Sequence, residues 1–591
     1  MNKDLIKKFN IHHDDFDFEN PLSCGNGNLC ITLDQTGFHT FSKLYNHIPL
    51  SVFSNKVWAG KDINPEIKKD KYIKRNGEYI YHMTTDTDKE NYDLLRTNFH
   101  KMSLFNIKLL NSDLDNTKII TQDLDLYSGI LYSNFKINDD LYENKVYVTQ
   151  DTDTILWNIS GKEINLSISF NNPSFTKTGA SDIFKNIILN NNEIIVKSDL
   201  FDYKLYINTN GKISLNDGIL YISNNDNLTL EIGLDKPKNY ELLNKYFDNI
   251  IDLNIPDNEI LRRYILSLYL MKINTLGIYP PAETGLTCNS WYGKFHLEMH
   301  LWHHLGLIYL GAGNEVIKSM DYYLDILDSA KNRAKEHGYE GARYPKMTDF
   351  RGFDSPSPIG CLLMWQAPHI ILMCKALKDE GFDISKYHNI IYEVAKFIKS
   401  VFIYKDGVYL LDKPLIPSQE CYLPLDVESP LFETEYLRSG LILARDILNT
   451  SEFDEVIDNI VKPYIKDNVY QTDITDLDHF TTYAKDHPSV IGCYSYFKSE
   501  RIDKDIMLKT LHKCLESFDL ETMWGWDFSM MAMTAYNCGD FNLAIKLLKY
   551  NASKNQYLKN GHNKQSQRDD LPLYLPGNGS LLLACYKIFK D

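Results

Sequence analysis

The stretch LTLEIGLDKPKNYELLNKYFDNIIDLNIPDNEILRRYILSLYLMKINTL (228–276) is where the chain changes its period. Its first seven residues alternate apolar and polar side chains, the repeat of a strand with one buried face. Its last twenty carry apolar residues at the three- and four-residue spacing of a helix. Upstream, eight further β-type runs are punctuated by Asn, Asp and Gly turns: 28–34, 37–45, 118–137, 143–151, 154–160, 192–198, 204–210 and 218–223. That spacing predicts a large antiparallel β-sandwich. Downstream, helical periodicity predicts twelve helices, near 257–276, 294–311, 314–337, 359–379, 385–401, 431–448, 452–467, 488–498, 503–517, 526–537, 539–552 and 577–589. Twelve helices in paired hairpins suit a toroid of six inner and six outer helices, and the hairpins share no consensus of the kind that marks a solenoid. The expected fold is therefore α+β multidomain: an N-terminal antiparallel β-sandwich over 1–250, then an (α/α)6 toroid over 251–591.

At 591 residues the chain is too long for one ordinary domain. Its formal net charge of -16 argues against nucleic acid or an anionic membrane as the main partner, since both attract basic surfaces. A neutral ligand remains open. Ten cysteines without a CxxC pair are too dilute for a disulfide scaffold and read as thiols of a reducing compartment. The N-terminus lacks the apolar core of a signal peptide, and no apolar run reaches 18 residues. A soluble cytoplasmic protein is expected.

Chemistry concentrates in a few segments. In NSWYGKFHLEMHLWHH (289–304), a continuous helix would line His296, His300 and His303 or His304 along one stripe, with Glu298 and Trp302 beside it and Trp291 and Tyr292 just before. Buried polar groups need partners, so this stripe is read as facing a polar, aromatic-lined pocket. The long loops 338–358, 402–430, 468–487 and 553–576 are where binding and catalytic groups tend to gather. IPSQECYLPLDVESPLFE (416–433) sets Glu420 beside Gln419 and close to Asp426, Glu428 and Glu433. Glycosidic cleavage needs a protonated carboxylic acid on the leaving oxygen and, for inversion, a second carboxylate activating water from the opposite side. Neighbouring carboxylates and aromatic enclosure both raise a carboxyl pKa, which makes Glu420 the acid candidate.

GARYPKMTDFRGFDSPSPIG (341–360) offers Arg343, Tyr344 and Asp349. WGWDFSMMAM (524–533) sets Trp524 and Trp526 before Asp527, where an Asp also makes a helix N-cap. NGHNKQSQRDDLPLYLPGNGS (560–580) holds His562, Asn563 and Asp570 and ends in a turn opening the last helix. His296 and His300 stand at i and i+4, a zinc-chelating spacing, but Leu297 occupies the place of the zincin Glu and no third ligand is clear, so no metal is expected. Phosphate-loop, dinucleotide and GxSxG patterns are absent, so no cofactor is expected either.

The order of modules together with these loops resembles the six-hairpin glycosidases, nearest to glycoside hydrolase family 65 and more distantly to families 15 and 95. SCGNGNLCITLDQTGFHTF (23–41) looks like the Gly-Asn-Gly opening of the family's sandwich, and GARYP (341–345) resembles its Gly-Ala-x-Tyr-Pro loop. GKFHLEMHLW (293–302) aligns without gaps with the signature Gly-x-x-Phe-Trp-Asp-Thr-Glu-x-Trp. Glu298 then stands at the family's sugar-binding Asp, and Glu420 falls where its general acid lies. The Trp-Asp-Thr-Glu core is not kept, so an α-glucosyl substrate does not carry over. The resemblance also places a base near the start of helix twelve, where this sequence has no carboxylate; Glu298, Asp527 and Asp570 are the alternatives. It implies an inverting glycosidase acting on a small oligosaccharide, with Trp291, Tyr292, Trp524 and Trp526 walling the terminal sugar. Arg343, Tyr344, His300, His487, His562 and Asn563 would bind it too. An inverting disaccharide phosphorylase, a sugar epimerase or lyase using His300 or His487, and a non-catalytic sugar binder stay open. A homodimer through the sandwich is also an expectation.

Overall fold

The alternating runs do become strands. In this computed structural model the described residues are 1–63, 70–73, 79–82, 88–475, 477–565 and 568–590. Nine strands form one antiparallel sheet in the spatial order Ile11–His13, Thr117–Asp125, Ile130–Ile137, Asp140–Val148, Thr154–Ser160, Asn227–Gly233, Asp202–Thr209, Glu193–Lys197 and Ile187–Asn190. A second sheet pairs Ile164–Asn171 with both Phe105–Leu109 and Ile219–Asn224. A third joins Leu22–Gly25, Leu29–Leu33 and Ser51–Ser54. Within Asp140–Val148 the inward residues Tyr142, Asn144, Val146 and Val148 are buried while Leu141 and Glu143 are exposed, as a period of two requires. The run at 37–45 is not a strand. The Asp34 carboxylate accepts the backbone N–H groups of Thr36, Phe38 and Phe41, and this local capture replaces ladder pairing.

Helices begin in earnest at Asn258–Thr275, where Asp257 accepts the N–H groups of Glu259 and Ile260. Every residue from Tyr264 to Thr275 is buried, because strands clasp one side of the helix and other helices the rest. Tyr269 Oη donates to Ser23 O at 2.7 Å, and Gly27 N donates to Ile273 O at 3.0 Å. Helix His300–Leu307 packs against Leu575–Phe589 and His369–Asp379, and the latter against Leu431–Leu448. Gly525–Asn537 lies against Leu575–Phe589. The segment after Ser489 packs on Gly525–Asn537: Thr534 Oγ1 donates to Ile491 O at 3.2 Å and Asn537 Nδ2 to Tyr494 O at 2.9 Å. The molecule is thus mixed α+β, antiparallel sheets first and helices after.

Several helices are shorter than their periodicity suggests. The predicted helix 294–311 starts only at His300. Trp291 (φ 45°), Tyr292 (φ 60°) and Gly293 (φ 70°) turn left-handed, and Phe295–His296 pairs with Met347–Thr348 as a short ribbon. His296 and Glu298 therefore do not share a helical stripe with His300. The predicted helix 359–379 starts at His369, just after Pro368; 452–467 is helical only over Asp454–Asn459; and 488–498 keeps a single turn at Ser489–Ile491.

Gly27 (φ 93°) sits where a Cβ would fall 2.4 Å from the Leu276 carbonyl, whereas a Cβ at Gly381 (φ 84°) meets nothing within 4 Å. Gly381→Ala is expected to cost only the left-handed penalty of about 1 kcal/mol. Gly27→Ala should cost clearly more, by ~2 kcal/mol or above, because strained backbone and clash add. Urea midpoints compare the two, and equal shifts would show that the Leu22–Leu33 hairpin is not tightly docked on the helix.

Candidate active site

The short ribbon explains how two distant loops meet. Pairing of His296 with Met347 sets Glu298 beside Lys346, whose backbone C=O accepts the Glu298 N–H at 3.3 Å. The Glu298 carboxylate is fully engaged. Oε1 accepts Trp365 Nε1 at 2.9 Å, and Oε2 lies 3.0 Å from both His296 Nε2 and Lys346 Nζ. Lys346 Nζ also donates to Glu420 Oε1 at 2.5 Å. The three side chains differ in exposure: 3% for Glu298, 9% for Lys346 and 32% for Glu420. Of the two carboxyls, Glu420 is the one a ligand reaches.

Their proton affinities are driven apart. Burial opposes ionisation of Glu298, but the Lys346 ammonium and the His296 ring outweigh it and hold this carboxyl well below the usual range. Burial pushes Glu420 up, and the charges of Glu298 and Asp486 add to that against the pull of Lys346. The same ammonium is shared by both, and the two carboxyls are pushed in opposite directions, Glu298 down and Glu420 up.

A second chain of contacts fixes the Glu420 loop. Glu420 N donates to Asp486 Oδ2 at 3.0 Å, and Trp524 Nε1 to Asp486 Oδ1 at 2.9 Å. His487 lies 3.6 Å from Asp486 Oδ1 through Nε2 and 2.9 Å from both Asp527 oxygens through Nδ1. Burial disfavours a charged imidazole, yet Asp527 and Asp486 overcome it and lift His487 to about 9; it is an imidazolium at neutral pH. Trp526 stacks on this ring with centroids 4.2 Å apart, and on Trp302 at 4.8 Å.

The structure thus brings together Glu298, Glu420, Asp527, His487, Trp524 and Trp526, but it changes several roles expected from sequence. Asp527 is wholly buried, chelates His487 and accepts the Trp524 N–H at 2.7 Å, which leaves no face for a water. Trp526 is also wholly buried and supports the ring above it instead of walling a sugar. Asp570 is 73% exposed and paired with Arg568 at 2.8 Å. His300 is buried between Tyr323 Oη (3.0 Å), His304 (2.9 Å) and Ser319 (3.1 Å). Arg343 is buried on the His337 ring and the Cys361 and Leu363 carbonyls, and Tyr344 Oη donates to Tyr323 O. His562 is buried, and Asn563 Nδ2 holds the Lys554 carbonyl at 3.0 Å. His300, Arg343 and Tyr344 thus spend their polar atoms inside the protein, whereas His562 Nδ1 and Asn563 Oδ1 are buried without a partner. Trp291 and Tyr292 stay partly exposed against Arg96 (4.3 Å) and Phe175 (5.9 Å) of the N-terminal half. Ser566 and Gln567 of the quoted 560–580 segment lie outside the described residues.

Sequence reasoning did not single out Lys346, Asp486, Trp365 or Glu283, although Lys346 lies in the quoted 341–360 segment, Trp365 opens the WQAPH run at 365–369 and Asp486 lies in the 468–487 loop. Among the described residues no group of three or more His, Cys, Asp or Glu is arranged to hold a metal ion. A cavity of about 700 Å³ on the nine-stranded sheet, lined by Tyr132, Asn134, Glu143 and Asn158, contains none of this charge cluster.

Removing the ammonium gives a pH test. Glu298, held low, contributes stability that is present above its ordinary value of 4.5 and lost as pH falls below it. Lys346→Met leaves two carboxylates uncompensated and should cost roughly 3–5 kcal/mol at pH 8. Protonation relieves the repulsion, so the variant should gain stability on going from pH 8 to pH 5. Denaturant midpoints at the two pH values check this; an equal loss at both would mean that only packing was removed.

No family model and no curated protein matches the sequence. Solved structures do. A human-microbiome protein assigned as a kojibiose phosphorylase superposes with a TM-score of 0.67 over 98% of this chain and 88% of its own, at 13% identity. A bacterial glucoamylase complexed with acarbose gives 0.51 over 98% and 95%, at 10% identity. These neighbours are carbohydrate-active enzymes, and at such identities the likeness is one of fold. By that likeness the chain shares the fold of these two proteins.

Proposed function

We propose that the protein is an inverting glycoside hydrolase that removes a terminal sugar from a small neutral oligosaccharide in the cytoplasm. Residues 1–250 would form a β-sandwich and residues 251–591 an (α/α)6 toroid, the sequential helix contacts supporting a closed circle. Glu420 is the general acid. The observation that carries this reading is the split between two carboxyls on one ammonium: Glu298 is ionised and sealed, while Glu420 is raised and reachable. A pair of titratable groups pushed apart in this way is how an acid is kept protonated beside a fixed charge. Asp486, His487 and Asp527 hold the acid's backbone in place.

A disaccharide phosphorylase is the second reading, favoured by the fold likeness to the kojibiose phosphorylase. It requires inorganic phosphate to accelerate cleavage and yield a sugar 1-phosphate. The hydrolase requires neither.

The test is a panel of disaccharides and aryl glycosides, with and without phosphate, and NMR to read the anomer first released. Inversion is expected. Glu420→Gln should lower kcat by about 10²–10⁴-fold with a melting temperature near wild type, the span typical of a lost general acid. Unchanged turnover would remove Glu420 from the mechanism.

A further inference from the structure

We infer that Glu283 is the carboxylate that activates water on the side of the sugar opposite Glu420; this rests on the hydrolase reading above. Glu283 lies in the PPAETG segment between the first long helix and the His296 ribbon. Its backbone carbonyl accepts the N–H of Leu575, the first residue of the last helix, at 3.0 Å, and Pro281 O accepts His296 N at 2.9 Å. The segment is thereby pinned between the charge cluster and the final helix. The side chain is 6% exposed, with Oε1 3.5 Å from His296 Nδ1 and Oε2 without any partner. A buried carboxylate oxygen left unbonded costs more than its neighbours return unless a donor meets it. A water or a sugar hydroxyl is such a donor.

The other carboxylates of the site are committed. Glu298 Oε1 holds Trp365 and its Oε2 holds His296 and Lys346. Asp527 is sealed under His487, and Asp570 faces solvent on Arg568. Glu433 has a free buried oxygen too, but its other oxygen holds the Ser418 N–H beneath the Glu420 loop, on the acid's own side. Among the described carboxyls of this cluster, Glu283 alone keeps an oxygen free at the end of the contact chain away from Glu420: the order is Glu283, His296, Glu298, Lys346, Glu420. Inversion requires about 6.5–9.5 Å between the two carboxyls to admit the water, and the proposal requires that separation of Glu283 and Glu420.

The step balances within these groups. The water oxygen bonds to the anomeric carbon as its proton passes to Glu283. The carbon–oxygen bond to the leaving group breaks, its electron pair stays on that oxygen, and Glu420 supplies the proton there. Solvent exchange returns Glu283 to the carboxylate and Glu420 to the acid. A carboxylate in this place also repels phosphate, which sets the site against phosphorolysis.

Glycosyl fluorides separate acid from base, because fluoride departs without a proton. The probes are the α- and β-fluorides of glucose, galactose and mannose. With a fluoride that wild type hydrolyses, Glu283→Gln should lose about 10²–10⁴-fold, whereas Glu420→Gln should lose aryl glycosides far more than fluoride. Sodium azide added to Glu283→Ala should restore turnover and give a glycosyl azide of inverted configuration. Azide rescue is a readout that a merely structural role would not produce. Glu283→Gln within tenfold of wild type, or a loss that azide does not restore in a variant of normal melting temperature, overturns the assignment of Glu283 and leaves Glu420 standing. If wild type releases no sugar from any fluoride or glycoside, the hydrolase reading fails and Glu283 fails with it.

Discussion

A single ammonium holds the site together. Lys346 is almost buried, and without partners that burial would be prohibitive; two carboxylates within 3.0 Å make it tolerable. A hydrophobic residue in its place would pack as well and would leave Glu298 and Glu420 repelling one another. The lysine also ties loops that are 122 residues apart in sequence, counting from Glu298 to Glu420. Its position depends on the two-residue ribbon between Phe295–His296 and Met347–Thr348, which in turn exists because the chain turns left-handed at Trp291–Gly293 and does not enter the helix early. Local backbone strain and global charge balance are therefore one problem here, solved together.

The second chain, Asp527–His487–Asp486, works on orientation. A protonated imidazole between two carboxylates is held by hydrogen bonding on one side, Nδ1 to Asp527, and by charge on the other, where Asp486 stands 3.6 Å from Nε2. Asp486 carries that hold to the Glu420 backbone and to the Trp524 indole. Beneath it, Trp526 and Trp302 form a stacked apolar floor that keeps water away from the ion pair and strengthens it.

The fold was legible where the pattern is long and its faces are unambiguous. Thr154–Ser160 and Leu431–Leu448 match their periodic runs to the residue, and within 228–276 the strand Asn227–Gly233 gives way to the helix Asn258–Thr275. Edges failed where a local hydrogen bond beat the pattern, as Asp34 does at 37–45, or where a short ribbon diverted a helical run, as at Phe295–His296. In the charge cluster, Glu420 drew notice in the sequence because a Pro-bounded acidic loop is an unusual local feature. His300 and Arg343 were misjudged for a different reason: a polar residue's partner lies across the fold, and spacing along the chain does not reveal whether a buried Tyr or carbonyl waits for it. Glu283 had no signature at all, being one acid in a Pro-Pro-Ala turn whose place is set by a backbone bond to Leu575.

The charge inventory bears on what such a site accepts. Glu283, Glu298, Glu420 and Asp486 face the cluster with Lys346 and His487 as the cations named among them, and His296 lies between the first two carboxylates. Two further cations stand at its edge: the Arg568 guanidinium feels the charge of Glu283, and the Lys554 ammonium those of Asp527 and Asp486. On the proposed reading one of the carboxyls carries a proton, so charges of the two signs nearly offset one another in a partly desolvated space. The hydroxyls of a neutral sugar would satisfy the acceptors that the protein leaves open. The whole chain, at -16, carries a long-range field that disfavours anions, and on the proposed reading the free acceptors of the cluster favour a neutral ligand within it.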